Sequence, residues 1–156
     1  MLDAGWRWYT DARALVQGLA VVHQRRDETV AGVIAALSQR EQWRRNVRRA
    51  DAALATGAAT SGLRGSREKA NRILAGEHPR DVLRGPKIRA FYRALLGDDN
   101  AVVIDTWMCR ALGHHEKPTP KQYARLAARI RREARARNMP PAIWQATVWC
   151  AIRGAA

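Results

Sequence analysis

The sequence predicts an all-α protein, a compact bundle of about eight helices, and three observations carry that expectation. Apolar residues recur with the helical period almost throughout. No stretch alternates with a period of two. Capping residues, glycines and prolines fall where the periodic runs begin and end.

The first helix is expected from about Trp6 to Arg26, with Leu15, Leu19 and Val22 on one face. Asp27 or Thr29 caps the second, which carries Val30, Val33, Ile34 and Leu37 and ends near Ser38. A third, dense in arginine, runs from about Glu41 to Ala55, where Thr56-Gly57 stops it. Residues 57–65 read as a loop, and Ser66 opens a short helix to Ala75. Pro79–Leu83 is a helical turn, Arg84-Gly85-Pro86 a tight connection, and Lys87–Leu96 another helix. After a turn at 97–100 comes the short apolar run Ala101–Ile104, and Asp105 caps the helix that holds Trp107, Met108 and Leu112. Thr119-Pro120 starts a helix that continues through Ala136, and Pro140-Pro141 starts the last one, Ala142–Ile152.

The chain has 156 residues, the size of one domain, so a single helical domain over 1–156 is expected. A hydrophobic fraction of 47% is enough to fill a core, which argues against disorder. Lys plus Arg total 28 against 14 Asp plus Glu, a net charge of +14. A surface that positive attracts polyanions, and nucleic acid is the expected partner. Arginine accounts for 24 of the basic residues and lysine for 4. GC-rich coding alone can produce that split, but Arg also forks phosphate and stacks on bases. An RNA-binding or ribosomal role fits less well, for want of strands, an aromatic sheet signature or a basic tail.

Cys109 and Cys150 are too few for a disulfide framework and read as reduced core residues. No apolar run reaches membrane-spanning length and the N-terminus has no secretory core, so a soluble cytoplasmic protein without membrane partners is expected. For a phage-encoded chain that means the host cytoplasm. His114-His115-Glu116 lacks ligand spacing, and neither a metal nor another cofactor is expected.

Three pieces, in order, resemble the helix-hairpin-helix DNA glycosylase superfamily of the endonuclease III type. Val33-Ile-Ala-Ala-Leu-Ser38, followed by Gln39, Gln42 and Asn46, is similar to the family's early helix and its Gln-bearing turn towards DNA. Lys69-Ala70 through Ile73 looks like the Lys-Ala helix before the hairpin. Leu83-Arg-Gly-Pro-Lys87, an amphipathic helix, and Val102-Val-Ile-Asp-Thr-Trp-Met-Cys-Arg-Ala-Leu-Gly113 resemble the hairpin and the Val-Asp-Thr-His-x-x-Arg signature. The closing Trp149–Gly154 segment also resembles the element that completes the bundle. Only the Asp105 segment is specific; the other motifs are short.

The resemblance implies a minimal enzyme that flips a base out of the duplex and cleaves its glycosidic bond, with Asp105 stabilising the sugar cation. Asp105 as nothing more than a helix cap is the alternative, and the two roles are compatible. Lys87 lies 18 residues before Asp105, the separation of the family's Schiff-base lysine. In another alignment, with Leu83-Arg84-Gly85 on the family's Leu-Pro-Gly, Lys87 falls on the hairpin, out of catalytic register. Only Gly85 is clear of the hairpin glycines, and Pro86 has no N–H to offer. The resemblance further assigns DNA contact to Arg84, Gly85, Arg89, Ser38, Gln39, Arg40, Gln42 and Asn46. Trp107 replaces the family's histidine and either stacks on a base or joins the core. Trp43 reads as buried. Two cysteines exclude the family's four-cysteine iron–sulfur module. A monomer is expected, with room for an accessory protein. Two other readings stay open: a phage-type enzyme that hypermodifies thymine derivatives on the same fold, and a DNA-binding module without chemistry.

Overall fold

A computed structural model describes residues 2–153; Met1 and Gly154 lie outside the described residues. These hold nine α-helices and no strand: α1 (Leu2–Val22), α2 (Asp27–Leu37), α3 (Trp43–Thr56), α4 (Arg64–Leu74), α5 (Pro79–Val82), α6 (Pro86–Leu95), α7 (Thr106–Ala111), α8 (Pro120–Ala136) and α9 (Pro141–Arg153). The all-α expectation holds. The count exceeds eight because the turn at Pro79 is a helix of its own, with Pro79 at its first position and the His78 ring accepting from the Arg80 N–H.

Several boundaries differ from expectation. α1 ends at Val22 rather than Arg26, because Gln24 turns to a positive φ of 51° and the Arg25 N–H closes back on the Ala20 carbonyl at 2.9 Å. Arg26, not Asp27 or Thr29, is the cap of α2, and its side chain makes no capping hydrogen bond. α3 starts two residues later than read, at Trp43, and α4 two earlier, at Arg64; neither cap supplies a side-chain hydrogen bond, so neither start carried a local signal. The start of α8 falls as expected: Thr119 and Gln122 form a capping box around Pro120.

The chain divides into two compact units, one of Ala14–Arg84 and one of the residues up to Arg13 together with those from Gly85 onward. In the first, the central unit, α2 is the buried rod: every residue from Val30 to Leu37 is out of solvent. α3, α4 and α5 pack around it. α3 buries Asn46, Ala50, Ala53 and Leu54, and α4 buries Ser66, Ala70, Ile73 and Leu74, the same three-to-four spacing on each helix. The small residues of α2 let its neighbours come close. A Cβ on Gly32 would meet Pro79 Cγ at 2.7 Å.

The terminal unit packs α9 against both α8 and α7. One apolar cluster joins Val102, Ile104, Met108, Cys109, Tyr123, Ala127 and Ile130, and a second joins Tyr9, Ala94, Ala101, Ala142, Ile143 and Ala146. Cys109 and Cys150 are free and buried, as read. Burial pushes both thiols up; at Cys109 Asp105 adds to this and Lys87 opposes it. No helix of the described residues is long and apolar enough to cross a membrane.

Candidate functional site

Asp105 is positioned from three directions, all within the terminal unit. The apolar run before it is held by Tyr123 of α8, whose hydroxyl donates to the Val102 carbonyl at 2.7 Å and accepts from the Ile104 N–H at 3.0 Å. Asp105 itself caps α7, its Oδ1 accepting from the Met108 N–H at 2.9 Å. Its Oδ2 accepts from Trp149 Nε1–H of α9 at 2.8 Å. The carboxylate is half-buried, and each oxygen keeps a further lone pair for a ligand.

Burial, against the opposing Ile104 hydrogen bond, pushes the Tyr123 phenol up to about 12, from an ordinary value near 10. The folded pKa lies above the unfolded one, so this stability is complete below about pH 10 and is lost as pH climbs towards 12. Urea titrations at about pH 8 and about pH 11 check this. Wild type is expected to lose more stability across that interval than Tyr123→Phe. At the lower pH Tyr123→Phe is the less stable, by about 1–3 kcal/mol, because two buried backbone groups lose their partner.

Trp107, on the first turn of α7, is 39% exposed rather than core. The guanidinium of Arg110 lies 5.5 Å from its ring centroid and that of Arg153 lies 5.1 Å away. Arg153 also stands 5.4 Å from the Trp149 ring, so one cation spans both indoles. Trp149 is backed by Trp8 at 6.1 Å, which in turn meets Phe91 at 6.2 Å. A fixed carboxylate thus stands beside an exposed aromatic ring flanked by two cations.

Lys87 is exposed on the first turn of α6, and both it and Asp105 act electrostatically on the buried Cys109 thiol. Gly85 caps that helix at φ 88°, ψ 150°, backbone that disfavours any side chain, although a Cβ there would meet no neighbour. Glycine is needed there for the turn itself. Arg89 is exposed on α6.

The other sequence-derived candidates lie in the central unit. Gln39, Arg40, Gln42 and Arg84 are exposed. Arg40 adopts φ 54° in the turn between α2 and α3. Glu41 holds that turn, pairing with Arg49 and, at 3.4 Å, with Arg45. Ser38 is half-buried and its hydroxyl donates to the Ala35 carbonyl of its own helix at 2.8 Å. Asn46 is a correction: it is 2% exposed, and so buried away from any DNA surface, because it falls on the inward stripe of α3. Trp43 is half-buried, not core.

An open concavity of about 450 Å³ lies elsewhere on the terminal unit, lined by residues that include Asn100, Arg131, Arg135 and Pro140; Asp105 and Trp107 are not among them. Among the described residues no three His, Cys, Asp or Glu side chains gather as a metal site. The sequence gives Trp149 and Arg153 only a place in the closing helix, and Tyr123 none, with no site role for any of the three. Trp149 and Arg153 share a face of α9 at i, i+4, a weak signal for a paired role; Tyr123 had none.

Fold and site together define a strongly basic, all-helical protein with an anchored aspartate beside an exposed tryptophan. The chain belongs to a family of unknown function (DUF7178), whose model matches residues 1–156. No curated protein matches it, and no solved structure does.

Proposed function

We propose that this protein binds double-stranded DNA and acts on a flipped-out base as a glycosylase-type enzyme, with Asp105 as its essential carboxylate. One observation carries the reading: Asp105 is anchored by Met108 and Trp149 next to Trp107, whose exposed ring has the guanidiniums of Arg110 and Arg153 5.5 and 5.1 Å from its centroid. That set matches the parts of a nucleotide. The ring offers a base a stacking surface, the guanidiniums face phosphate, and the carboxylate faces the sugar. As the C1′–N bond breaks, the base leaves with the bonding pair and takes a proton. The positive charge left on the sugar is held by Asp105 until water adds at C1′ and gives up its own proton. Lys87 as nucleophile at C1′ would form a Schiff base instead and add strand cleavage.

A module that binds DNA without chemistry is the second reading, favoured by the use of both Asp105 oxygens inside the fold. Mass spectrometry of oligonucleotides after incubation separates the readings. Excision removes the mass of a base, hypermodification of a thymine derivative adds mass, and a binding module changes nothing. The expected result is loss of a base; unchanged mass on every substrate would overturn it. Trp107→Ala is expected to weaken binding to a duplex with an unpaired base by about 1–3 kcal/mol. Its stability should stay within about 0.5 kcal/mol of wild type, as checked by anisotropy and urea denaturation.

A further inference from the structure

Within the central unit, α1 with the residue after it approaches α3 at two places, in the same chain order. At one end Leu15 shares an open concavity of about 440 Å³ with Trp43, Arg44, Val47 and Arg48. At the other, His23 just past α1 meets Asp51 of α3 at 2.6 Å. The interval from Leu15 to His23 equals that from Trp43 to Asp51, so Leu19 falls level with Val47.

The floor of this groove is apolar. Leu15, Leu19, Trp43 and Val47 are each half-buried. Val22, on the same face of α1 as Leu15 and Leu19, is 73% exposed. The rim is cationic. Arg44 and Arg48 stand one turn apart on α3, exposed, and among the described residues neither has a hydrogen-bond or ion-pair partner. Their neighbours Arg45 and Arg49 are drawn onto Glu41 instead.

We propose that this groove receives an amphipathic helix from an acidic partner protein. Its apolar side chains rest on Leu15, Leu19, Trp43 and Val47, and its carboxylates meet Arg44 and Arg48. The seam from Leu15 to Val22 is about 11 Å long, two helical turns, the span of i, i+3 or i+4, and i+7 anchors. A nucleic-acid backbone would use the two arginines but leave the aliphatic floor in water. A second copy of this chain is opposed by the +14 net charge on each. The inference goes beyond the excision reading and uses no residue of the Asp105 site.

The test is fluorescence anisotropy with a labelled acidic peptide of about 15 residues, leucines on one helical face and glutamates beside them, and its scrambled isomer. The full-length protein is used, at near-physiological salt, and circular dichroism checks the fold of each variant. The patterned peptide is expected to bind about ten-fold tighter than the scrambled one. Arg44→Glu/Arg48→Glu and, separately, the uncharged change Val47→Ser should each remove about ten-fold of that affinity. Equal binding of the scrambled isomer, indifference to either variant, or no binding of the patterned peptide would overturn the proposal. An oligothymidine that loses affinity with Arg44→Glu/Arg48→Glu where the peptide does not would assign the groove to nucleic acid.

Discussion

Gly5→Ala is expected to destabilise the protein by about 2–3 kcal/mol, against the usual effect of alanine in a helix. Elsewhere in a helix that exchange gains about 0.5–1 kcal/mol, since glycine loses more chain entropy on folding. At Gly5 the added Cβ would run into Thr147 Oγ1 and would lie 2.5 Å from the Ile143 carbonyl oxygen and 2.7 Å from Thr147 N. Two of those atoms are backbone, and the third is fixed by its own hydrogen bond to Ile143. α1 must therefore lift off α9, and the cluster around Tyr9, Ile143 and Ala146 opens with it. Gly18, farther along the same helix, is exposed, and a Cβ there meets nothing within 4 Å. Gly18→Ala should accordingly stabilise by about 0.5–1 kcal/mol. Thermal unfolding of the two variants is expected to move in opposite directions. Movement in the same direction would contradict the close packing of α1 on α9.

The second large effect concerns Asp105. Asp105→Asn should lower product formation by about 10²–10³-fold, the usual consequence of removing a preorganised charge from a transition state. The substitution also has a structural effect. Asparagine still accepts from the Met108 N–H and keeps the cap, but its amide N–H₂ would face Trp149 Nε1–H, donor against donor. That clash costs about 1–3 kcal/mol. Trp149→Phe removes the opposing donor, so Asp105→Asn should cost less stability in that background. The difference measures the coupling of the pair. Product that stays lost in the double variant while stability recovers assigns the carboxylate to chemistry. Product that returns with stability would reduce Asp105 to a strut.

Asp105 was legible in the sequence because its local roles coincide: the side chain caps the helix that starts beside it, so a few neighbouring residues carry the signal. α8 was legible for the same reason, with Thr119, Pro120 and Gln122 all adjacent. Trp149 was not, since it reaches Asp105 across 44 residues of chain and nothing near either residue encodes the pairing. Tyr123 likewise fixes Val102 and Ile104 from α8, through bonds that exist only once α8 has packed. The turn after α2 misled in one respect. Asn46 is polar and near exposed Gln42, yet the period of α3 places it on the same inward stripe as Ala50 and Ala53. The early end of α1 at Val22 depends on a positive φ at Gln24, a residue whose type gives no such warning.

The most direct measurement is a gel assay on labelled duplexes, each carrying a single damaged or modified base, at one fixed salt concentration because phosphate contacts make affinity salt-dependent. Wild type, Trp149→Phe and the Trp149→Phe/Asp105→Asn pair are compared after hot alkali, with Lys87→Gln run beside wild type without alkali. The account predicts alkali-dependent cleavage at one class of base by wild type and by Trp149→Phe, and its loss when Asp105→Asn is added. Cleavage without alkali that disappears in Lys87→Gln would add strand scission to excision. DNA that is bound but never cut, or cutting that persists without the Asp105 carboxylate, would contradict it.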